Sequence, residues 1–532
     1  MDYVHDIVSA ISSWSLRLLV YYFTRWLPLG PRCLPMIYNT FIVFLAAALS
    51  QRYLPSESSA PSNRFTSILL CCSGTGRGSA FIPNLIINAC FLLGALDFVY
   101  RARILDFGDD LTFSRVGYVD DRSAKIVLRM PEFAAVSLDF RPEGAEHWTQ
   151  ASVRQFSNVT DFVEIVLLSD LTENTAYEYR TNTSLGGSFR TAAQYPKQWS
   201  MVSSSCISPG FPYNPVGHSL EIPGLKHLSR YLQSRSIDFM LFLGDFIYID
   251  LPVPQQQKNI DYRRAYRRVY ASPSWTPALQ SLPFVHTYDD HEFENDWASN
   301  TTGIFWDAIE TFQNYQGNAN PHSDLNDSYY IFKRGDVNFF VMDARRYRSS
   351  PEVTDGPKKT MLGDKQLANL QHWLAISQGL KVVVSSVPFT RNWRGPESVD
   401  SWAGYLHERQ KILEAMWDTQ GVIIISGDRH EHATTEFPSP DGKNRVIEFS
   451  TSPLSQFYQP FERMYQQVED TDIAIHSHPW GISKFGAFHF DTSQESEWTI
   501  EFELIVDGAR AWSKVVTFSQ NWSGLRIGLD SA

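Results

Sequence analysis

Hydrophobic positions fall into three patterns along the chain. Roughly the first 105 residues carry long, nearly charge-free apolar runs. Residues 110–195 alternate apolar and polar positions with a period of two, the mark of strands that bury one face. From residue 198 onward, short and fully apolar runs alternate with stretches of helical spacing. Such runs predict strands buried on both faces, at 200–203, 239–243, 337–342, 382–386 and 422–426. Helical spacing predicts helices at 260–270, 364–376 and 408–418, and the chain returns to β structure at 499–506 and 513–517. This alternation argues for an α/β sandwich.

The N-terminal region predicts a membrane anchor. Residues 33–49 contain no charge and lie between Arg32 and Arg52, which fits a short span. Residues 81–100 form a second candidate span, interrupted by Pro83, Asn84, Asn88 and Asp97. Residues 7–29 are apolar and aromatic but carry Arg17 and Arg25, a composition suited to the membrane interface. The structural alternative is a hydrophobic helical hairpin packed on the rest of the protein. The runs are too long and start too late for a typical signal peptide. Arginines flank both candidate spans, so charge does not decide the orientation. Asn-x-Ser/Thr sites at Asn158, Asn182, Asn300, Asn326 and Asn521 tilt slightly toward a lumenal or outer face.

Composition narrows the function. A chain of 532 residues exceeds a single core, so several domains are expected. Its net charge of -12 argues against a general nucleic-acid binder. Four cysteines (Cys33, Cys71, Cys72 and Cys90) lie in the first hundred residues, and Cys206 is the only one beyond them. No disulfide can form within the C-terminal part. Cys206 follows a strand in Ser-Ser-Ser-Cys, which leaves open a buried hydrophobe, a ligand or a nucleophile.

Four polar clusters each follow an apolar run. They are Cys206; Asp245 with Tyr248; Asp289-Asp290-His291-Glu292; and Asp428-Arg429-His430, followed by His432. Singly, each has a structural reading, such as a helix N-cap or a surface histidine. Together they put thiolate, phenolate, carboxylate and imidazole groups at the carboxyl ends of strands, where open α/β sheets place their ligands. A dinuclear metal site is the chemistry that uses such a set, since two ions can hold the attacking and leaving oxygens of an in-line displacement. Asp245 is the natural bridging carboxylate. Thiolate and phenolate suit a ferric ion, and carboxylates suit a harder divalent partner. His291 is suited to protonate a leaving alkoxide.

These residues resemble the PhoD-like (alkaline phosphatase D) family of the metallophosphoesterase superfamily. Gly244-Asp245-x-x-Tyr248 keeps the superfamily's Gly-Asp and adds a tyrosine. Asp289-Asp290-His291-Glu292 stands for Gly-Asn-His-Glu, and Gly427-Asp428-Arg429-His430 for Gly-His-x-His. Cys206 occupies the first ligand position, and 384–388 occupies the strand of a missing lone histidine. Stretches around 342–348, 362–366 and 400–405, with Arg409, also look like that family. The resemblance implies metal ligation by Cys206, Asp245, Tyr248, Asp290, Asp428 and His430, catalysis by His291 and Asp290, and Fe3+ with Ca2+ or another divalent ion. Asp289, Glu292 and His432 would stand behind the ligands.

The expected architecture is α/β, a metallophosphoesterase-type β-sandwich flanked by helices. It follows a small all-β fibronectin- or Ig-like domain and N-terminal transmembrane helices. The expected boundaries are 1–105 (anchor), 106–195 (all-β) and 196–520 (catalytic). Arg345 and Arg429 are candidate substrate binders. Arg263 and Arg267, one turn apart on a helix, could face phosphate or solvent. The reading is a membrane-tethered phosphoesterase acting on monoesters, diesters or both. Its rivals are a diesterase for lipid or glycan headgroups, an inactive scaffold or receptor, and a thiol hydrolase using Cys206.

Overall fold

Helices that turn apolar residues outward need a partner other than water, and the N-terminal helices do this throughout. The computed structural model describes residues 2–53, 81–183, 185–321, 327–459, 463–468 and 471–519. Cys71, Cys72, Asn326 and Asn521 lie outside the described residues. The chain divides into two compact units: Met1–Phe107 with Gly210–Ser219 and Asp250–Gln255, and the remainder. The first unit is built on α1 (Asp2–Arg25), α2 (Gly30–Tyr53) and α3 (Phe81–Leu105). Leu16, Val20 and Phe23 of α1 pack against Ile37 of α2 and Ala95 and Val99 of α3. Within α2 and α3, Gly30–Ser50 and Ile82–Leu105 are long and apolar enough to cross a membrane. Helix α1, which carries most of the segment expected at the interface (7–29), packs against α2 and α3.

The second unit begins with seven strands: β1 (Phe113–Val119), β2 (Ala124–Arg129), β3 (Ala135–Pro142), β4 (Thr149–Gln155), β5 (Val163–Leu168), β6 (Ala176–Thr181) and β7 (Gly186–Arg190). They form two antiparallel sheets, ordered β1-β2-β5 and β4-β3-β6-β7, that close over Val116, Ile126, Leu138, Val166 and Tyr177. Alternation supplies one apolar face per sheet, and pairing the two faces makes a sandwich.

The larger part of this unit packs two sheets face to face. One contains β8 (Gln198–Ser204), β9 (Phe239–Leu243), β10 (Phe284–Thr287), β18 (Lys484–Asp491), β19 (Glu497–Val506) and β20 (Ala509–Ser519), in the order β10-β9-β8-β18-β19-β20. The other contains β11 (Tyr330–Arg334), β12 (Val337–Val341), β13 (Leu380–Val384), β14 (Val422–Ser426), β15 (His432–Pro438), β16 (Arg445–Thr451) and β17 (Ile473–His478), in the order β11-β12-β13-β14-β16-β15-β17. Leu241, Leu243, Val382, Ile425, Phe449 and Phe502 fill the space between them. The outer faces are equally apolar, which is why the central strands read as unbroken hydrophobic runs. Helices α4 (Pro223–Ser234), α5 (Asn259–Tyr270), α6 (Pro277–Ser281) and α7 (Phe305–Tyr315) cover one sheet. Helices α8 (Gly363–Ile376) and α9 (Leu406–Trp417) cover the other. Strands β8, β9 and β10 run parallel, as do β12, β13, β14 and β16, so their carboxyl ends gather at one edge of the sandwich.

The arginines of α5 hold the β domain and do not face a phosphate site. Arg263 donates to the carbonyl oxygens of Asn158 (2.7 Å) and Val159 (2.6 Å). Arg267 clamps Asp161, which also receives Arg129 and the Tyr315 hydroxyl. Burial alone would raise the Asp161 pKa. The bonds from Arg267 and Tyr315, with the Arg129 charge, outweigh it and hold the group below the ordinary carboxylate range. A depressed pKa adds stability above the unfolded value of about 3.9, and that stability is lost as pH falls below it. Removing the carboxylate would strand two buried guanidinium groups. Asp161→Ala is therefore expected to cost about 3–5 kcal/mol, seen as a lower melting temperature of the full chain at pH 7. The gap between variant and parent should narrow as the pH approaches 3.

Candidate metal centre

Each ligand group stands just past the end of a buried strand, on backbone that turns sharply out of the sheet. Cys206 follows β8, Asp245 follows β9, Asp290 follows β10, and Asp428 and His430 follow β14. Cys206, Asp245, Asp428 and His430 have φ values of 62°, 55°, 74° and 59°. A left-handed conformation in a non-glycine residue costs roughly 1–2 kcal/mol, and four such residues at one point mark a site that the surrounding fold over-determines.

The turn after β9 depends on a glycine. Gly244 has φ +100°, and a Cβ there would lie 2.5 Å from the Asp289 Cβ and 2.7 Å from the Asp289 nitrogen. This close approach lets Glu292 staple the two turns. Its carboxylate accepts the backbone N–H groups of Asp245 (2.9 Å), Phe246 (2.6 Å) and Asp289 (2.8 Å). On the facing sheet, Gly427 packs against Ser205, whose Oγ accepts from the Asp428 N–H (3.0 Å) and lies 3.0 Å from the Cys206 sulfur.

Asp245 is the centre of the arrangement. Its Oδ2 accepts from the Cys206 thiol (3.3 Å) and the Tyr248 hydroxyl (3.0 Å), and Tyr248 Oη lies 3.1 Å from His430 Nε2. The ligand atoms of Cys206, Asp245 and His430 lie within 4.8 Å of one another, as do those of Asp245, Asp289, Asp290 and Asp428. Asp245, Asp290 and His291 make a third such group. Two ligand sets thus share one carboxylate: sulfur, phenol and imidazole on one side, carboxylates on the other. Softness separates these sets as it separates a ferric ion from a hard divalent ion. Among the described residues, buried Asp428 Oδ2 and Asp290 Oδ1 have no hydrogen-bond partner, and the latter lies 3.3 Å from the Arg345 guanidinium. The donor set therefore fits two cations.

Burial pushes the Cys206 thiol, the Tyr248 phenol and the Asp245 and Asp428 carboxyls well above their ordinary pKa values. It holds His430 well below its own, as neutral imidazole. Multivalent cations reverse the cost of the anionic forms and take neutral imidazole directly. Asp290 goes the other way. Burial opposes ionisation, but Arg345, His291 and the Asp296 N–H (2.6 Å) outweigh it and hold the carboxyl low.

Arg345 is corrected as a substrate binder. It is fully buried, and its guanidinium spans Asp289 (2.5 and 2.9 Å) and Asp400 (2.8 and 3.0 Å) behind the ligands. Arg348 also bonds Asp400. Asp289 is held further by the Ser386 hydroxyl (2.7 Å), two residues past β13. His432 stacks on Phe502 and bonds Thr451, away from the ligand groups. His291 and Arg429 stay half-buried, with the His291 ring 4.2 Å from that of Tyr248. Sequence reasoning missed Ser205, Ser386 and Lys484. Lys484 is buried and donates to the His430 carbonyl (3.1 Å), and no motif marks it because it arrives from β18, over fifty residues downstream.

Residues 216–502, more than half of the chain, match the PhoD-like phosphatase family. Alkaline phosphatase D of Bacillus subtilis (strain 168) is 24% identical, over 38% of this chain and 42% of that protein, so the match spans less than half of the relative's length. Among solved structures, PhoD aligns over 80% of this chain and 92% of its own, with a TM-score of 0.61 and 16% identity. The purple acid phosphatase PPD1 from yellow lupin (Lupinus luteus) seeds aligns over 79% and 78%, with a TM-score of 0.55 and 13% identity. The family match covers more than half of the chain and the fold agrees with it, and the chain belongs to the PhoD-like phosphatase family.

Proposed function

We propose that the chain is a membrane-tethered, metal-dependent phosphoesterase that hydrolyses phosphomonoesters, phosphodiesters or both. The observation that carries this reading is the pair of ligand sets sharing Asp245 at the strand ends. Cys206, Tyr248 and His430 would hold a ferric ion, Asp290 and Asp428 a calcium or another divalent ion, and Asp245 would bridge them. When bound, such a pair supplies Lewis acidity and a water of lowered pKa. In the hydrolysis, the oxygen of water bonds to phosphorus and the ester P–O bond breaks. His291, half-buried beside Tyr248, delivers a proton to the departing alkoxide. Arg429, half-buried between two ligands, is the remaining candidate for the phosphate oxygens. Arg345 orients Asp289 and Asp290 from behind. Retention of every expected ligand group favours an enzyme over an inactive scaffold. The two apolar helices support membrane tethering.

Purified full-length protein should contain iron and a second metal by elemental analysis, and should hydrolyse p-nitrophenyl phosphate or its bis ester. Cys206→Ala should lose iron and at least a hundredfold in kcat while keeping its fold. A folded, metal-free parent that neither iron nor calcium activates would overturn the reading.

Gly244→Ala tests the turn itself. Its methyl group would push Asp245 away from Asp289 on backbone that disfavours it. The expected result is metal content and kcat both reduced at least tenfold, with a stability loss of roughly 1–3 kcal/mol. Normal metal content in this variant would show that the ligand spacing does not depend on the close approach.

A further inference from the structure

The helical unit contains more than its helices. Gly210–Ser219 and Asp250–Gln255 belong to it, although in sequence they follow the ligands Cys206 and Tyr248. Both segments attach at one end of the bundle. Tyr213 N–H donates to the Thr24 carbonyl at the end of α1 (3.0 Å), and its hydroxyl donates to Asp97 of α3 (2.9 Å). Arg101 of α3 donates to the carbonyl oxygens of Pro215 (3.1 Å) and Gly217 (3.0 Å). Gly30, at the start of α2, donates to the Pro252 carbonyl (2.7 Å), and a Cβ there would lie 1.9 Å from that oxygen.

This end of the bundle has the chemistry of a membrane interface. Trp26 packs edge-on against Tyr21 and Tyr22, at ring separations of 5.5 and 6.2 Å. Arg25 and Arg32 flank it in sequence, and Arg101 and Arg103 lie in the last turns of α3. Aromatic rings and arginines mark the headgroup level of a spanning bundle. At the tip of the first segment, Val216 is 93% exposed, an apolar side chain suited to a lipid surface.

The bundle is apolar outside as well as inside. On α1, Ile7, Ile11, Trp14, Leu18 and Tyr21 are exposed, while Ser9, Ser12 and Ser13 are buried beside the apolar core. Half-buried Arg17 donates to Asn88 (3.0 Å) and Asn84 (3.1 Å) of α3, and Asn88 donates to Ser13 (2.7 Å). A helix in water keeps its outer face polar. In lipid, polar groups turn inward and bond one another. The 24 residues of α1 reach about 36 Å, enough to cross the hydrocarbon layer with α2 and α3.

The covalent chain then limits how far these ligands can stand from the bonded segments. Tyr213 follows Cys206 by seven positions and Pro252 follows Tyr248 by four. A chain spans at most about 3.6 Å per residue, so the ligands can stand no further than about 25 and 14 Å from residues bonded to the helices. We propose that the substrate is a phosphate ester carried by a lipid of the same bilayer, hydrolysed in cis. This rests on the phosphoesterase reading and names its substrate class. Water gives its oxygen to phosphorus, the P–O bond to the alcohol breaks, and the protons of water end on the phosphate product and the released alcohol.

The full chain in nanodiscs tests this. The probes are dioleoyl phosphatidic acid and dioleoyl phosphatidylglycerol, placed either in the same disc or in separate vesicles, with both chromogenic esters assayed alongside. The expected result is at least tenfold faster turnover of one co-embedded lipid than of the same lipid in vesicles. Arg101→Ala, which removes the side-chain bonds to Pro215 and Gly217 of the first segment, should reduce that advantage at least threefold and leave the chromogenic rates unchanged. Chromogenic turnover with no preference for a co-embedded lipid overturns this inference alone. Absence of turnover on all four esters overturns it together with the phosphoesterase reading.

Discussion

Mutual repulsion among buried acids is the constraint that the rest of the site answers to. Asp245, Asp289, Asp290, Asp428 and Glu292 lie close together with a thiol and a phenol. Two like charges about 4 Å apart repel by roughly 4 kcal/mol at an effective dielectric of about 20. A few such pairs would exceed the whole stability of a domain, about 5–15 kcal/mol. The chain resolves this group by group. Glu292 is spent on backbone N–H groups, Asp289 is neutralised by Arg345, and Asp290 takes a backbone N–H and the edge of the same guanidinium. Asp245 takes the Cys206 thiol and the Tyr248 hydroxyl, and Asp428 keeps a buried Oδ2 with no hydrogen-bond partner among the described residues. The division separates residues that shape the site from residues that could hold a metal.

The same constraint explains the strained backbone. A ligand on regular strand would point across the sandwich and not off its edge. Left-handed residues immediately past β8, β9 and β14 aim the side chains at a common point, and the Gly244 and Gly427 contacts let the turns approach closely enough to meet there. The two sheets supply the rigidity that this strain requires, since their shared core is apolar from Leu241 to Phe502.

Much of this was legible in the sequence because burial on both faces leaves unbroken apolar runs, and because each ligand motif follows such a run directly. Strands β8, β9, β13 and β14 and helices α5, α8 and α9 fall within two residues of their expected places. Strands β15 and β17 did not stand out, since His432, Thr434, Thr435 and Glu436 make a buried strand look polar. Arg345 was misread for a similar reason. An arginine past a strand end is equally compatible with gripping phosphate and with neutralising carboxylates, and only the position of Asp400 distinguishes the two. Ser205, Ser386 and Lys484 act through single hydrogen bonds set by tertiary contacts, which leave no local pattern.

The first helix shows the limit from the other side. Hydropathy counts Arg17 and the serines of α1 against a membrane span, because it scores residues without regard to what they touch. Here Arg17 bonds Asn84 and Asn88, Ser13 bonds Asn88 and Ser12 bonds carbonyls of its own helix, while Ile7, Ile11, Trp14, Leu18 and Tyr21 are exposed. What makes α1 compatible with lipid is therefore a property of the α1–α3 pair. The segments 210–219 and 250–255 follow the same logic: their sequences carry no membrane signature, and it is the bonds from Thr24, Gly30, Asp97 and Arg101 that assign them to the helices. Anchoring at Pro215, Gly217 and Pro252 runs through backbone carbonyls and so does not depend on the side chains there, whereas Tyr213, Gly30 and Arg101 have no such freedom.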